Sequence, residues 1–389
     1  MDYSFNNINQ ESIQLAPYLA MQFCQAFQCI IQRVVYANPA HGPVLLTKLD
    51  LADGYYRIPL SPHAAQHLAV VLPPDSDGQV RENLVGIPLS LPMGWSLSPP
   101  YFCAFTETCA DIANSSLAVG QCLPLNPTEP LTQLHPLPLA TTNFSQHPWQ
   151  PAPPLLPLAH VDVYIDDFLL AAQRGTIAPT LRAALHAIST VFPDDASSPR
   201  RAVVSASKLA KGDATWATTK RVLGWDIDTE RLTIHLPEHR LQHFDTLLSP
   251  LRSQKRVSRR KWQVLLGELR SMVPAIHSSK YYFSILQHAM SDQQRPRIWL
   301  SKLVHSVLAT WQAMARSITK QPAPLTMLVP TAPMAIGASD ASGDGMGGFW
   351  LATDLHHTPF RPTVWRASFP DHVKRRLGIY VEPHGRYLQ

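Results

Sequence analysis

Apolar runs that end on carboxylates constrain this chain more than any other feature. The stretch His160-Val161-Asp162-Val163-Tyr164-Ile165-Asp166-Asp167-Phe168-Leu169-Leu170-Ala171-Ala172 sets two adjacent acids between runs rich in β-branched and aromatic residues. Such runs read as two short strands, with the pair Asp166-Asp167 at a tight hairpin turn. Asp suits turns because its side chain bonds its own backbone, and an isolated pair of this kind often means nothing more. Here a third acid argues otherwise. Asp50 lies at the end of Val44-Leu45-Leu46-Thr47-Lys48-Leu49-Asp50-Leu51, another apolar run. Strand-borne acids held side by side repel unless a cation sits between them, and a hard, oxygen-seeking ion such as magnesium is the usual solution.

Composition sets the outer bounds. At 389 residues and 45% hydrophobic content the chain can build large cores and more than one domain. Its 33 Lys and Arg against 28 Asp and Glu give a net charge of +5, which suits a polyanionic partner better than an acidic protein would. Cys24, Cys29, Cys103, Cys109 and Cys122 form neither a metal-binding nor a disulfide framework and read as buried thiols. There is no secretory leader and no apolar run of the ~18 residues that a membrane span needs. The expectation is an intracellular protein, cytoplasmic or nuclear, with no membrane partner.

Along the chain, residues 14–35 read as a helix with Phe23, Phe27, Ile30 and Ile31 on its apolar side. Residues 65–90 suggest a strand, a loop at Pro73–Gly78 and a returning strand at Glu82–Ile87. Ser98 is read as an N-cap with Pro99 opening a helix whose apolar face carries Phe102, Phe105, Cys109 and Ile112. Residues 121–160 hold ten prolines and a single charged residue, Glu129. Proline at that density opposes helix and central strand, so an extended surface insertion is expected, a passive spacer rather than a docking motif. Ile177–Val191 has helical spacing, and Ala202–Leu209 reads as a strand. From about residue 238 the pattern turns helical, with Ser258 capping a helix that carries Trp262, Leu265, Leu266, Leu269 and Val273 and closes at Pro274. Arg252, Lys255, Arg256, Arg259, Arg260 and Lys261 place six positive charges in ten residues without an acid. A solvated basic face is the ordinary meaning of such a run; beside a duplex, the same charges neutralise phosphates.

Three of these stretches carry a family resemblance. Tyr164-Ile165-Asp166-Asp167 resembles the Tyr-x-Asp-Asp signature of reverse transcriptases. Lys48-Leu49-Asp50-Leu51-Ala52-Asp53-Gly54-Tyr55-Tyr56-Arg57-Ile58-Pro59-Leu60 is similar to that family's first palm motif, and Leu91-Pro92-Met93-Gly94-Trp95-Ser96-Leu97-Ser98-Pro99-Pro100-Tyr101-Phe102 to its template-and-nucleotide loop. They occur in the family's order. The resemblance covers roughly residues 1–350 and is closest to long-terminal-repeat-like or tyrosine-recombinase-type retrotransposon polyproteins.

The resemblance implies an α+β right-hand polymerase with a ferredoxin-like palm. Its parts would be partial fingers at 1–43, the first half of the palm at 44–120, the Pro-rich insertion at 121–160 and the second palm half at 161–240. A helical thumb and connection would follow at 241–325, and a truncated ribonuclease H-like α/β fragment at 326–389. Asp50, Asp166 and Asp167 become catalytic residues holding two magnesium ions, with manganese as an alternative. Leu51, Tyr55, Met93, Gly94 and Lys208 become nucleotide-binding residues, Tyr55 lying where the family excludes a 2′-hydroxyl. Met93 stands where retroviral enzymes carry Gln and many retrotransposon enzymes an apolar residue. Leu223, Gly224 and Trp225 match the primer grip, in a hairpin at Arg221–Asp228 with Leu232–Leu236 as its second strand. Arg252, Lys255, Arg256, Arg259, Arg260 and Lys261 would contact nucleic-acid backbone, and Asp340 would be the first acid of a ribonuclease H module that lacks the others. The implied partners are an RNA template with a DNA primer or an RNA–DNA duplex, and deoxynucleoside triphosphates. The implied activity is RNA-directed DNA synthesis. The alternative is a catalytically inactive retroelement fragment that at most binds nucleic acid, because the fingers residues that grip the triphosphate have no counterpart here. An RNA-dependent RNA polymerase is disfavoured by Tyr55.

Overall fold

The structure, a computed structural model, describes residues 3, 8–12, 15–16, 25–71, 84–131, 154–192, 202–276, 279–290, 296–329, 335–342, 345–352, 363–372 and 374. The chain divides into two compact units, one of residues 1–147 with 151–330 and the other of residues 331–389 with 148–150. The expected Pro73–Gly78 loop and most of the Pro-rich segment lie outside the described residues, as does Cys24.

In the first unit a short helix α1 (Ile8–Glu11) precedes α2 (Ala26–Tyr36), whose Phe27, Ile30, Ile31, Val34 and Val35 recur at helical spacing and are all buried. Strand β1 (Leu45–Asp50) follows, then α3 (Pro62–His67), capped by the Ser61 side chain, and the small hairpin β2 (Val70–Val71) with β3 (Val85–Gly86). The long helix α4 (Ser98–Ala118) leads to strands β4 (Ala159–Tyr164) and β5 (Asp167–Ala172), and α5 (Ile177–Val191) comes next. These three strands form an antiparallel sheet in the order β1-β5-β4.

Strand β5 is central, and both its faces are covered. Phe168, Leu170 and Ala172 join Leu45, Leu49, Val161 and Val163 in the core with α4 and α5. Leu169 and Ala171, one residue out of phase, join Leu46 and α2 in the other core. A strand covered on both faces has no place for alternation, which is why Phe168–Ala172 is apolar throughout.

The chain then forms α6 (Ala206–Ala210) where the sequence suggested a strand over 202–209. Only Val204 of this span forms a bridge, to Leu51 just past the end of β1, before the Ser205 carbonyl accepts the Lys208 and Leu209 amides and turns the chain into a helix. The good helix formers Ala206, Lys208, Leu209 and Ala210 prevail once strand pairing ends. Beyond it, β6 (Thr219–Val222), β7 (Trp225–Asp228) and β8 (Thr233–His235) make a meander, with β11 (Ala323–Pro324) beside β8. The expected hairpin is therefore two hairpins: Leu223-Gly224 is the turn of the first, and 233–235 is a third strand. Helices α7 (Glu238–Leu248), α8 (Arg259–Met272), α9 (Ser279–His288) and α10 (Lys302–Lys320) follow, with a ribbon of β9 (Arg256–Ser258) and β10 (Arg297–Trp299). Trp262, Leu265, Leu266 and Leu269 of α8 are buried, and Ser258 caps that helix by accepting the Lys261 amide.

The second unit is described only as the antiparallel sheet β12 (Ala335–Ala341), β13 (Gly345–Ala352) and β14 (Thr363–Ser368), in that order. A Cβ at Gly348 would strike the Ala338 carbonyl of the neighbouring strand, so close strand approach requires glycine there. Among the described residues no helix is long and apolar enough to cross a membrane.

The flanks of the Pro-rich segment are anchored. Glu129 accepts a two-point ion pair from Arg182 on α5, and the Pro154 and Leu155 carbonyls bond Asn38 and His41. Strand β4 begins at Ala159, inside the span expected to be extended insertion. The thiols divide: Cys103 and Cys109 are buried, Cys29 is half-buried, and Cys122 is exposed, against expectation, because it follows the end of α4.

One buried amide closes this part of the fold. Gln173, at the end of β5, is fully buried and donates to the Asn38 and Gly42 carbonyls, both at 2.7 Å, while its oxygen accepts the Leu158 amide at 2.8 Å. Gln173→Leu would leave the Gly42 carbonyl and the Leu158 amide without partners and take from the Asn38 carbonyl one of its two donors, the other being the His41 amide. An expected loss of about 3 kcal/mol is read from the urea midpoint at unchanged m-value.

Candidate active site

Asp50 and Asp167 are direct partners across β1 and β5. Directly paired residues of antiparallel strands point to the same face with Cα atoms ~4.5–5.5 Å apart, so the two carboxylates face each other at close range. They project to the Leu46 and Leu169 side of the sheet, away from α4 and α5. Alternation puts Lys48 on that face as well.

The hairpin turn is Ile165-Asp166, one residue earlier than the sequence suggested. Tyr164 pairs with Asp167, so Asp167 is already strand and Asp166 alone projects from the turn. Phe168–Ala172 is buried on both faces, and a one-residue slip would exchange those faces and turn Asp167 toward the core with α4 and α5. Ile165 takes φ 59°, a left-handed conformation that a β-branched residue adopts only under strain.

The electrostatics are those of crowded acids. Burial first, then the neighbouring Asp167 and Asp50 charges, raise the Asp166 carboxyl above the ordinary range, against the pull of Lys208. Burial also raises Asp167, with Lys48 and Lys208 opposing and Asp50 and Asp213 reinforcing. Lys208, from α6, donates directly to Asp50 Oδ1. Burial disfavours its ammonium, but that bond and the charges of Asp50, Asp167 and Asp166 outweigh burial and raise its pKa. The Ser205 amide donates to the Asp50 carbonyl and so places α6 against the end of β1.

Tyr55 sits on the short turn Gly54–Arg57 and packs edge-on against Phe102 of α4, ring centroids 4.9 Å apart. Its hydroxyl pKa is raised by burial, and further by the Cys103, Asp166 and Tyr164 groups. Arg57 ties the same turn down by donating to the Ala52 and Ala202 carbonyls at 2.6 and 3.0 Å. Met93 is exposed, and Gly94 adopts φ 98°, a conformation glycine reaches freely. Ser98 caps nothing: it is buried inside α4 and its hydroxyl donates to the Pro92 carbonyl at 2.7 Å, fastening the Met93-Gly94 turn to the helix.

Other expected site residues fall elsewhere. Leu51 is buried in the core, so its side chain has no access to solvent. Trp225 is also buried, and its indole donates to the Ser271 carbonyl of α8, so it is a packing residue. Leu223 and Gly224 both take positive φ, 47° and 81°, as a two-residue hairpin turn requires, and Arg240 ties that turn to Glu268 of α8. Arg252, Lys255, Arg256, Arg260 and Lys261 are exposed, while Arg259 is half-buried and donates to the Met290 carbonyl. In the second unit Asp340 is exposed and accepts the Ala341 amide. The sequence reading missed Lys48 and Asp213; two-residue periodicity from Asp50 marks Lys48, while nothing local marks Asp213.

Among the described residues no three His, Cys, Asp or Glu side chains converge to hold a metal ion. The donor chemistry nonetheless fits a hard divalent cation: three carboxylates at one sheet end, two with raised pKa, in an arrangement where Lys208 supplies the positive charge.

No family model matches the chain, and no curated protein matches it. Among solved structures, one described as "Structure of the foamy viral protease-reverse transcriptase dRH in complex with ds DNA" aligns at 12% identity and a TM-score of 0.40, over 84% of this chain and 43% of that one. The chain thus spans less than half the length of that structure.

Two tests follow from the charges. Lys208→Met leaves Asp50 buried beside Asp167; because Lys208 is 45% exposed, the expected loss is about 1–2 kcal/mol. The double variant with Asp50→Asn should recover most of it in a denaturation cycle. Separately, burial, then Asp162 and Asp111, push Glu107 of α4 up from 4.5 to about 7. The native state then holds a proton that the unfolded state has released, so stability falls as pH rises across that window. Glu107→Gln should flatten that slope, as read from urea midpoints across it.

Proposed function

We propose that the first unit is the catalytic core of an RNA-directed DNA polymerase. The observation that carries the reading is the in-register pairing of Asp50 with Asp167, with Asp166 on the adjoining strained turn. On this reading the β1-β5-β4 sheet with α4 and α5 is the palm, and α7–α10 correspond to the thumb. Asp50 and Asp166 lie 116 positions apart in the chain, and the pairing of β1 with β5 brings their strand ends together.

Asp50, Asp166 and Asp167 would hold the divalent ions. Bound magnesium would supply the charge that activates a primer 3′-hydroxyl and stabilises the departing pyrophosphate. The chain's own contribution is position and electrostatics, which is most of what phosphoryl transfer asks of a protein. The doubly covered β5 keeps Asp167 rigid, and Ile165 aims Asp166. Tyr55, held by Phe102, would lie under the sugar of an incoming nucleotide and exclude a 2′-hydroxyl. Met93 and Gly94 would face the nascent base pair. Lys208 would exchange Asp50 for the triphosphate as the ions enter. The Leu223-Gly224 turn would support the primer end through its backbone.

The test is primer extension on an RNA template with magnesium, deoxynucleotides and ribonucleotides being supplied in parallel reactions. Extension with deoxynucleotides alone, reduced by at least about 10³-fold in Asp166→Asn, is the expected result. An equal rate with ribonucleotides would reassign the chain to RNA synthesis. No extension, with salt-sensitive duplex binding retained, would leave an inactive nucleic-acid-binding fragment.

A further inference from the structure

The ribbon of β9 and β10 presents two chemically different faces. Val257 and Ile298, opposite each other, are buried in the helical core, while Arg256, Ser258, Arg297 and Trp299 face outward. Trp299 is 52% exposed, unusual for the largest apolar side chain. The guanidinium of its cross-strand partner Arg256 lies over the ring, 5.4 Å from the centroid. The segments 252–261 and 296–302 together carry eight Lys and Arg and no acid. Among the described residues no carboxylate is within ion-pair reach of Lys255, Arg256, Arg260, Lys261 or Arg297. Arg259, Arg260 and Lys261 also occupy the first turn of α8, where cations oppose the helix dipole rather than complement it. That turn gains from a bound anion.

An exposed ring supported by one guanidinium, on a ribbon that also carries Arg297 and is flanked in sequence by further cations, matches what an unpaired nucleotide needs: a platform for the base and charge for the phosphates on either side. A base inside a duplex cannot reach such a ring. An acidic peptide would engage the cations and leave the ring unused. We propose that the β9–β10 ribbon binds a single-stranded stretch of nucleic acid, with one base stacked on Trp299 and flanking phosphates on Arg256 and Arg297. The inference rests on the reading of this unit as a nucleic-acid polymerase, and adds a contact for the unpaired strand outside the carboxylate site.

The experiment measures binding of the full chain to fluorescein-labelled oligodeoxythymidylate and to a blunt duplex by anisotropy across a salt series. Trp299→Ala should weaken oligodeoxythymidylate about ten-fold, with an unchanged salt slope and duplex affinity within two-fold. Trp299→Phe should retain most of the affinity, which separates stacking from a folding defect. Arg297→Gln should weaken the single strand and reduce the salt slope by about one. Unchanged oligodeoxythymidylate affinity in Trp299→Ala, or an equal loss on both substrates, would overturn the proposal while leaving the polymerase reading in place. Absence of binding to either nucleic acid would sink both. Displacement of the oligomer by polyglutamate at equal charge concentration would assign the ribbon to an acidic protein instead and overturn the proposal.

Discussion

Two carboxylates held opposite each other across neighbouring strands are the constraint on which the rest of this structure depends. Like charges in direct cross-strand pairing are destabilising, and partial burial of Asp50 and Asp167 sharpens the repulsion. Nothing about folding alone asks for such a pair. The surrounding chain answers it with cations: Lys208 bonds Asp50 from a short helix, and Lys48 pulls on Asp167 from the neighbouring strand β1. The arrangement has a standing demand for positive charge, which a divalent ion would meet more fully.

Rigidity around that pair comes from the sheet. Strand β5 is buried on both faces between two separate cores, so a one-residue slip would repack both and carry Asp167 toward the apolar side with α4 and α5. That fixed register is what forces the turn onto Ile165 and Asp166. The cost is a β-branched residue in left-handed backbone, of order 1–3 kcal/mol. Strain of this kind persists only where the surroundings over-determine it, and here it places Asp166 on the turn that adjoins the Asp50–Asp167 pair.

Charge in the first unit is segregated along the chain. Acids gather at the end of the β1-β5-β4 sheet, while the run from Arg252 to Lys261 is basic and without acids. Raised carboxyl pKa values suit cations, and unopposed guanidinium groups suit phosphates. One polyanionic ligand together with divalent ions would satisfy both regions.

Much of this was legible in the sequence because it depends on local periodicity. The helices at 98–118, 177–191 and 259–272 follow from apolar spacing, and the hairpin around Asp166 from two flanking apolar runs. The importance of Asp50 followed from an acid ending a third such run. What the sequence left open depended on partners far away in the chain. Ser98 has the residue type of a cap, yet its hydroxyl goes to Pro92. Residues 202–209 have strand-like composition, but they find a single bridge, at Leu51 just past β1. Trp225 and Leu51 sit inside matching motifs and are buried. Arg256 was visible as one charge in a run, and only the pairing of β9 with β10 set it over Trp299. Composition and spacing thus determined the element types, the acids and the basic run, since those are properties of a few consecutive residues. Tertiary structure decided the register, the turn and every cross-chain charge pairing, because each depends on which distant surface a side chain meets.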